Sequence, residues 1–132
     1  MSAIPARIDQ VTLAVKDIDT AADFYADGFG FTEVNVEGDD DPQIRRFDLG
    51  AVTLTLISRD LLLSEMHLDG FPAPPGPVTL AVVVGRDEVD HYVERAARVG
   101  ATVIAAAEDK PSGPRIGFVA DPDGHAWELI AP

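Results

Sequence analysis

The sequence predicts an α+β domain made of one pattern written twice: a strand, a helix and three further strands. Three observations carry this expectation. Val11-Thr12-Leu13-Ala14-Val15 recurs letter for letter as Val78-Thr79-Leu80-Ala81-Val82. Each copy leads into a segment of helical spacing that ends at glycine. Between the halves lies Phe71-Pro72-Ala73-Pro74-Pro75-Gly76-Pro77, which neither a helix nor a central strand can hold. Internal duplication of this kind is the strongest organisational signal in the chain.

Taken in order, residues 10–15 alternate as a half-buried strand. Asp17 to Asp27 turns to helical spacing: Thr20 and Asp23 form a capping box, Ala22, Phe24 and Tyr25 supply apolar surface, and Gly28 or Gly30 stops the helix. Strands follow at Phe31–Glu37, Ile44–Leu49 and Val52–Ile57, with Gly50 at a turn. Leu61-Leu62-Leu63 opens a short helix or an apolar loop. After the linker, a second helix spans Asp87 to Val99 with Val89, Tyr92, Val93 and Ala96 on one stripe. Three strands close the chain at 101–106, 115–119 and 126–130. Asp121-Pro122-Asp123-Gly124 before the last strand is a tight-turn signature. The expected organisation is a single domain over 1–132, with module one about 7–58, a linker about 59–77 and module two about 78–131.

Composition bounds the function. No apolar run approaches the roughly 18 residues of a membrane span, and no basic segment leads an apolar one at the N-terminus, so neither a membrane partner nor a signal peptide is expected. The absence of cysteine removes disulfides, thiolate nucleophiles and cysteine zinc sites, and makes the cytoplasm the expected location. A net charge of −13 opposes binding to nucleic acid and suits a cationic small ligand.

The period of the strands separates two sheet faces. Val11, Leu13, Val15, Val52, Leu54, Leu56, Val78, Leu80, Val82, Trp127 and Leu129 form a bulky face to be covered by helices. The opposite face holds Gln10, Thr12, Ala14, Thr53, Thr55, Ile57, Thr79, Ala81, Val83, Ala126, Glu128 and Ile130. That second face is smaller and more polar than a packed core, and resembles the wall of a ligand cavity. Glu128 is its carboxylate, flanked by apolar neighbours.

At these positions the sequence resembles the vicinal oxygen chelate superfamily, which groups glyoxalase I, extradiol dioxygenases, bleomycin-resistance proteins and fosfomycin-resistance enzymes. The resemblance rests on Gln10 to Asp17, on Ala22-Asp23-Phe24-Tyr25 with Gly30-Phe31, and on Asp121-Pro122-Asp123-Gly124-His125 leading into Trp127-Glu128-Leu129. It implies paired βαβββ modules whose curled mixed sheets enclose a pocket, and a homodimer. In metal-dependent members, ligands come from the first and last strand of each module. Carried over, those positions are Gln10 and Thr55, then Thr79 and Glu128. Threonine stands at two positions where histidine or glutamate is the family pattern, which leaves a poor site for a divalent metal ion. No histidine falls where an iron dioxygenase needs one.

The remaining candidates are at the pocket mouth. His67 lies in the linker, and Lys110 and Arg115 flank a Pro-Ser-Gly-Pro loop that can hold an anionic group. His125 reads as a turn residue and His91 as surface. The expected pocket is therefore Gln10, Thr12, Thr53, Thr55, Thr79, Glu128, Arg115 and His67, with Glu128 the candidate for proton transfer. Two functions follow: binding or sequestration of a small ligand, for which the charge suits a cation, or a metal-assisted lyase, isomerase, epimerase or dioxygenase-like enzyme acting on a small oxygenated substrate.

Overall fold

In the computed structural model of the chain, residues 6–35, 41–65 and 79–132 are described. His67 and most of the linker lie outside them. The element order is β1 (Gln10–Val15), α1 (Ile18–Asp23), a π-helical turn (Phe24–Gly28), β2 (Thr32–Val34), β3 (Ile44–Asp48), β4 (Thr53–Ser58) and α2 (Arg59–Glu65). The second module has β5 (Thr79–Val83), α3 (Val89–Arg98), β6 (Thr102–Asp109), β7 (Arg115–Ala120) and β8 (Ala126–Ala131). Each module forms a four-stranded sheet, ordered β1-β4-β3-β2 and β5-β8-β7-β6. The first and last strands of each are parallel and the remaining pairs antiparallel. These are two mixed sheets, not a closed barrel.

The repeated residues lie in the first strand of each sheet but two positions apart in register: Thr12 pairs with Thr55, the third residue of β4, whereas Thr79 pairs with Ala126, the first residue of β8, so that Thr79 corresponds to Gln10. Leu13, Val15, Leu54 and Leu56 are buried on one face of the first sheet, as are Trp127 and Leu129 on the second. Both faces turn into a common core with Phe24, Tyr25, Val89 and Val93. The helices thus lie where the alternating pattern predicts them.

Local details depart from expectation for identifiable reasons. Asp17, not a Thr20–Asp23 box, caps α1: its carboxylate accepts the Thr20 N–H at 3.0 Å, which holds its pKa below the usual value. The helix does not run straight to its stop but widens into the π-helical turn, which buries both Phe24 and Tyr25. Gly28 acts there by close approach. A Cβ on it would sit 2.7 Å from Cγ2 of Val99, so α3 seats on this turn because Gly28 lacks a side chain. The leucine run at 61–63 is helical, within α2, and β6 extends beyond the expected boundary to Asp109. Among the described residues, no helix is long and apolar enough to cross a membrane.

The modules are joined at the Asp121 turn. Buried Asp121, 3% exposed, accepts the Tyr25 hydroxyl at 2.7 Å through Oδ2 and the Asp123 and His125 amides through Oδ1. Trp127 Nε1 donates to the Tyr25 oxygen at 3.0 Å. Asp123 accepts the Lys16 amide at 2.7 Å, and His125 Nε2 lies 2.9 Å from the Ala14 carbonyl. The turn of module two is thereby fastened to β1 of module one.

Two predictions follow from this junction. Tyr25→Phe leaves a buried indole N–H and a carboxylate oxygen without their partner, and is expected to cost about 2–3 kcal/mol in urea unfolding. Burial first, and the adjacent Asp121 carboxylate second, push the Tyr25 phenol above its ordinary value of 10.0. Its contribution is therefore complete below about pH 10 and is lost as the pH rises further, because the unfolded chain ionises first. The urea midpoint should fall from about pH 9 to about pH 11 more steeply in wild type than in Tyr25→Phe; equal slopes would contradict the assignment. In Gly28→Ala, helix propensity gains up to about 1 kcal/mol, but the steric clash with α3 is larger. The expected net loss is about 1–2 kcal/mol, read from the same unfolding curves.

Candidate functional site

The free face of the first sheet is assembled by register. Gln10, Thr53, Asp48 and Thr32 form one cross-strand row, and Thr12, Thr55, Arg46 and Val34 the next. Gln10 Nε2 donates to Thr12 Oγ1 at 3.0 Å, so the glutamine amide is held along this face. Thr55 is 4% exposed, and its hydroxyl has no hydrogen-bond partner among the described residues. Arg46 and Asp48 also lie on this face, which the strand assignment alone did not single out. Their alternation with buried Phe47 was available in the sequence, but which residues lie beside Thr55 depends on the β3–β4 register.

The free face of the second sheet is more apolar. Glu128 lies between Ala81 and Phe118, with Ile130 and Ile116 in the next row. It is half-buried, and its carboxylate makes no hydrogen bond or ion pair among the described residues. The face is therefore neither fully wet nor internally neutralised. Thr79 lies at the exposed start of β5. On the same edge strand Val83 is 69% exposed.

The structure brings Gln10, Thr12, Thr53 and Thr55 together on one sheet, and Thr79 and Glu128 on the other. Arg115 lies elsewhere. Its guanidinium donates twice to Asp90 on α3, at 2.9 Å each, and once to Asp109 at 3.2 Å. These bonds lower the Asp90 pKa and raise that of Arg115. Lys110 pairs with Glu108, and Arg86 bonds the Gly113 carbonyl and Asp109, so the 110–114 loop is tied to its own module. Acidic neighbours on α3 and β6, distant in sequence, take up the charge that a reading by local motif leaves free.

The geometry matches a known architecture throughout its length. The sequence pattern of the Glyoxalase/Bleomycin resistance protein/Dioxygenase superfamily covers residues 7–129. The chain belongs to this superfamily. It is 32% identical over 123 residues to an uncharacterized protein of Mycobacterium bovis, spanning 91% of this chain and 80% of the relative. A glyoxalase-related enzyme from Fulvimarina pelagi superposes with a TM-score of 0.84 at 30% identity, over 96% of this chain and 88% of that one. A glyoxalase/bleomycin resistance protein/dioxygenase family enzyme from Burkholderia phytofirmans PsJN gives 0.83 at 25% identity, over 96% and 98%.

As a metal site, the four superfamily positions offer one carboxylate, one amide engaged with Thr12 and two neutral hydroxyls. Among the described residues, no cluster of three His, Cys, Asp or Glu side chains is placed to hold a metal. This donor set does not fit a divalent ion, which takes its strength from anionic or imidazole ligands.

Thr55 offers a direct test of the free face. Thr55→Val keeps the shape and removes an unpaired buried hydroxyl, so the ligand-free protein should gain about 1–2 kcal/mol in urea unfolding. A loss of stability would reveal that the hydroxyl has a partner.

Proposed function

We propose that this superfamily member is a cytoplasmic protein that binds a small molecule on its free sheet faces, without a complete metal site of its own. The observation that carries the reading is the pairing of unsatisfied polar groups with apolar walls. Among the described residues, the Thr55 hydroxyl is buried unpaired on one sheet, and the Glu128 carboxylate is half-buried and unpaired between Ala81 and Phe118 on the other. Buried polar groups are normally satisfied, so such positions suit contacts made by a ligand. Glu128 favours a cationic or hydrogen-bond-donating group, and a net charge of −13 attracts one.

A homodimer is part of the proposal. The two half-sites are on separate sheets, and β5 is an edge strand with Val83 exposed beside Glu128's row. A second copy that sets its module two against module one of the first would bring Thr55 and Glu128 into one pocket. Such a contact would also cover the edge strand.

The second reading is a metal-assisted lyase, isomerase or epimerase. It draws on Glu128 itself, since a half-buried carboxylate with no partner can accept a proton from a bound substrate. Metal analysis of protein purified without chelators separates the two, with Glu128→Gln and Gln10→Ala beside wild type. The binding reading expects less than stoichiometric metal in all three. Stoichiometric metal in wild type that both variants lose would overturn it. Without metal, a thermal-shift screen of cationic glycopeptides and small oxo compounds is expected to yield a stabilising ligand whose effect falls at least about tenfold in concentration dependence in Glu128→Gln.

A further inference from the structure

We propose that the group Glu128 receives from its ligand is a methylated ammonium, held between the carboxylate and the ring of Phe118. This choice of ligand rests on the free-face reading of Glu128 and narrows it to one chemical class. On the second sheet the register sets Ala81, Glu128, Phe118 and Ala105 side by side in one row across β5, β8, β7 and β6. Residues directly opposite in such a row have Cβ atoms about 5 Å apart. A cation in contact with the Glu128 carboxylate therefore comes within the roughly 6 Å over which a phenyl face attracts it. Both side chains are half-buried, and among the described residues no other aromatic ring packs against Phe118, unlike the rings of the junction. Alanines surround the pair on three sides: Ala81 and Ala105 within the row, and the pair Ala126 and Ala120 in the next. Their short side chains leave room for a substituted head group beside the carboxylate and the ring.

The supply of acceptors decides between cations. A primary ammonium carries three N–H donors, and each one that leaves water without finding an acceptor costs a lost hydrogen bond. Here β8 is a central strand, so its main-chain groups are committed to β5 and β7. Alanine and phenylalanine supply no side-chain acceptor. The hydroxyl next in register is Thr79, one row away at the exposed start of β5, and Glu108 lies two strands away, paired with Lys110. A quaternary ammonium brings its charge with no donor to satisfy, and its methyl groups gain by covering apolar surface. The net charge of −13 draws either cation, so the preference comes from the ring and the scarcity of acceptors rather than from the field.

Calorimetric titration with three molecules of similar shape tests the assignment. Choline carries the trimethylammonium group, its analogue with a tert-butyl group is uncharged, and ethanolamine is the primary counterpart. Choline is expected to bind saturably, the tert-butyl alcohol about tenfold more weakly and ethanolamine at least about threefold more weakly. Glu128→Gln should remove the preference for choline over the alcohol. Phe118→Leu should remove the preference for choline over ethanolamine, and Phe118→Tyr, which keeps an aromatic face, should retain it. The wild-type ranking decides even where Phe118→Leu fails to fold. Ethanolamine binding as tightly as choline overturns the proposal, and so does choline binding that Phe118→Leu leaves unchanged. In both cases, weakening by Glu128→Gln would leave the free-face reading in place. Choline binding that Glu128→Gln leaves unchanged overturns the proposal together with the role that reading gives to Glu128. No saturable heat with millimolar choline overturns the ligand class alone, because the thermal-shift screen tests the free-face reading independently.

Discussion

The buried Tyr25–Asp121–Trp127 contact is the constraint on which the rest of this structure depends. A carboxylate taken out of water is costly unless its oxygens are fully bonded. Asp121 meets that condition only when module one supplies the Tyr25 hydroxyl and its own turn supplies two amides. Neither module satisfies the group alone. The contact therefore specifies how the two halves meet, where apolar burial alone would tolerate several arrangements. Around it, Phe24, Phe29, Phe31 and Trp127 pack with ring centroids between 5.0 and 6.1 Å from their neighbours, which fills the junction with rigid aromatic surface.

Fixing the junction on the helix side decides where chemistry can occur. Each sheet commits its Leu, Val and Trp face to the shared core, and its threonine and glutamate face is left over. In the first module α2 packs back on β1 and β4, where Ile57 and Leu63 are buried. Among the described residues, no such helix covers the second sheet's free face. The duplicated sequence has thus diverged in its environment. One free face is polar and partly roofed, the other more apolar and open, with Glu108 paired to Lys110 and Glu128 unpaired among the described residues.

Much of the fold was legible because the duplication fixes it redundantly. The pentapeptide sets the period of β1 and β5, and the period assigns Thr12, Thr55 and Glu128 to one kind of face before any pairing is known. Strand type and order of elements followed from alternation and glycine stops. What was not legible depends on contacts distant in sequence. Tyr25 reads as apolar surface, and nothing near it announces Asp121, 96 residues away. Arg115 reads as a free cation beside a loop until α3 brings Asp90 against it. Gly28 reads as a helix stop, whereas its lack of a Cβ is demanded by Val99, the residue that follows α3.

The two strand edges turn this into a statement about assembly. Parallel pairing of first and last strands leaves β1 and β5 at one edge of their sheets, with β2 and β6 at the other. Exposed edges are normally shortened, charged or covered. β1 begins with Gln10 and is flanked by Asp9 and Lys16, which blunt it with polar groups. β5 is Thr-Leu-Ala-Val-Val, with no charge and with Val83 largely open. Of the two, β5 has the sequence of a strand that expects a neighbour. If a second copy supplies it, as proposed above, Glu128 lies next to the new contact. The same residue would then register both assembly and ligand, because covering β5 would deepen the burial of a carboxylate that is unpaired among the described residues.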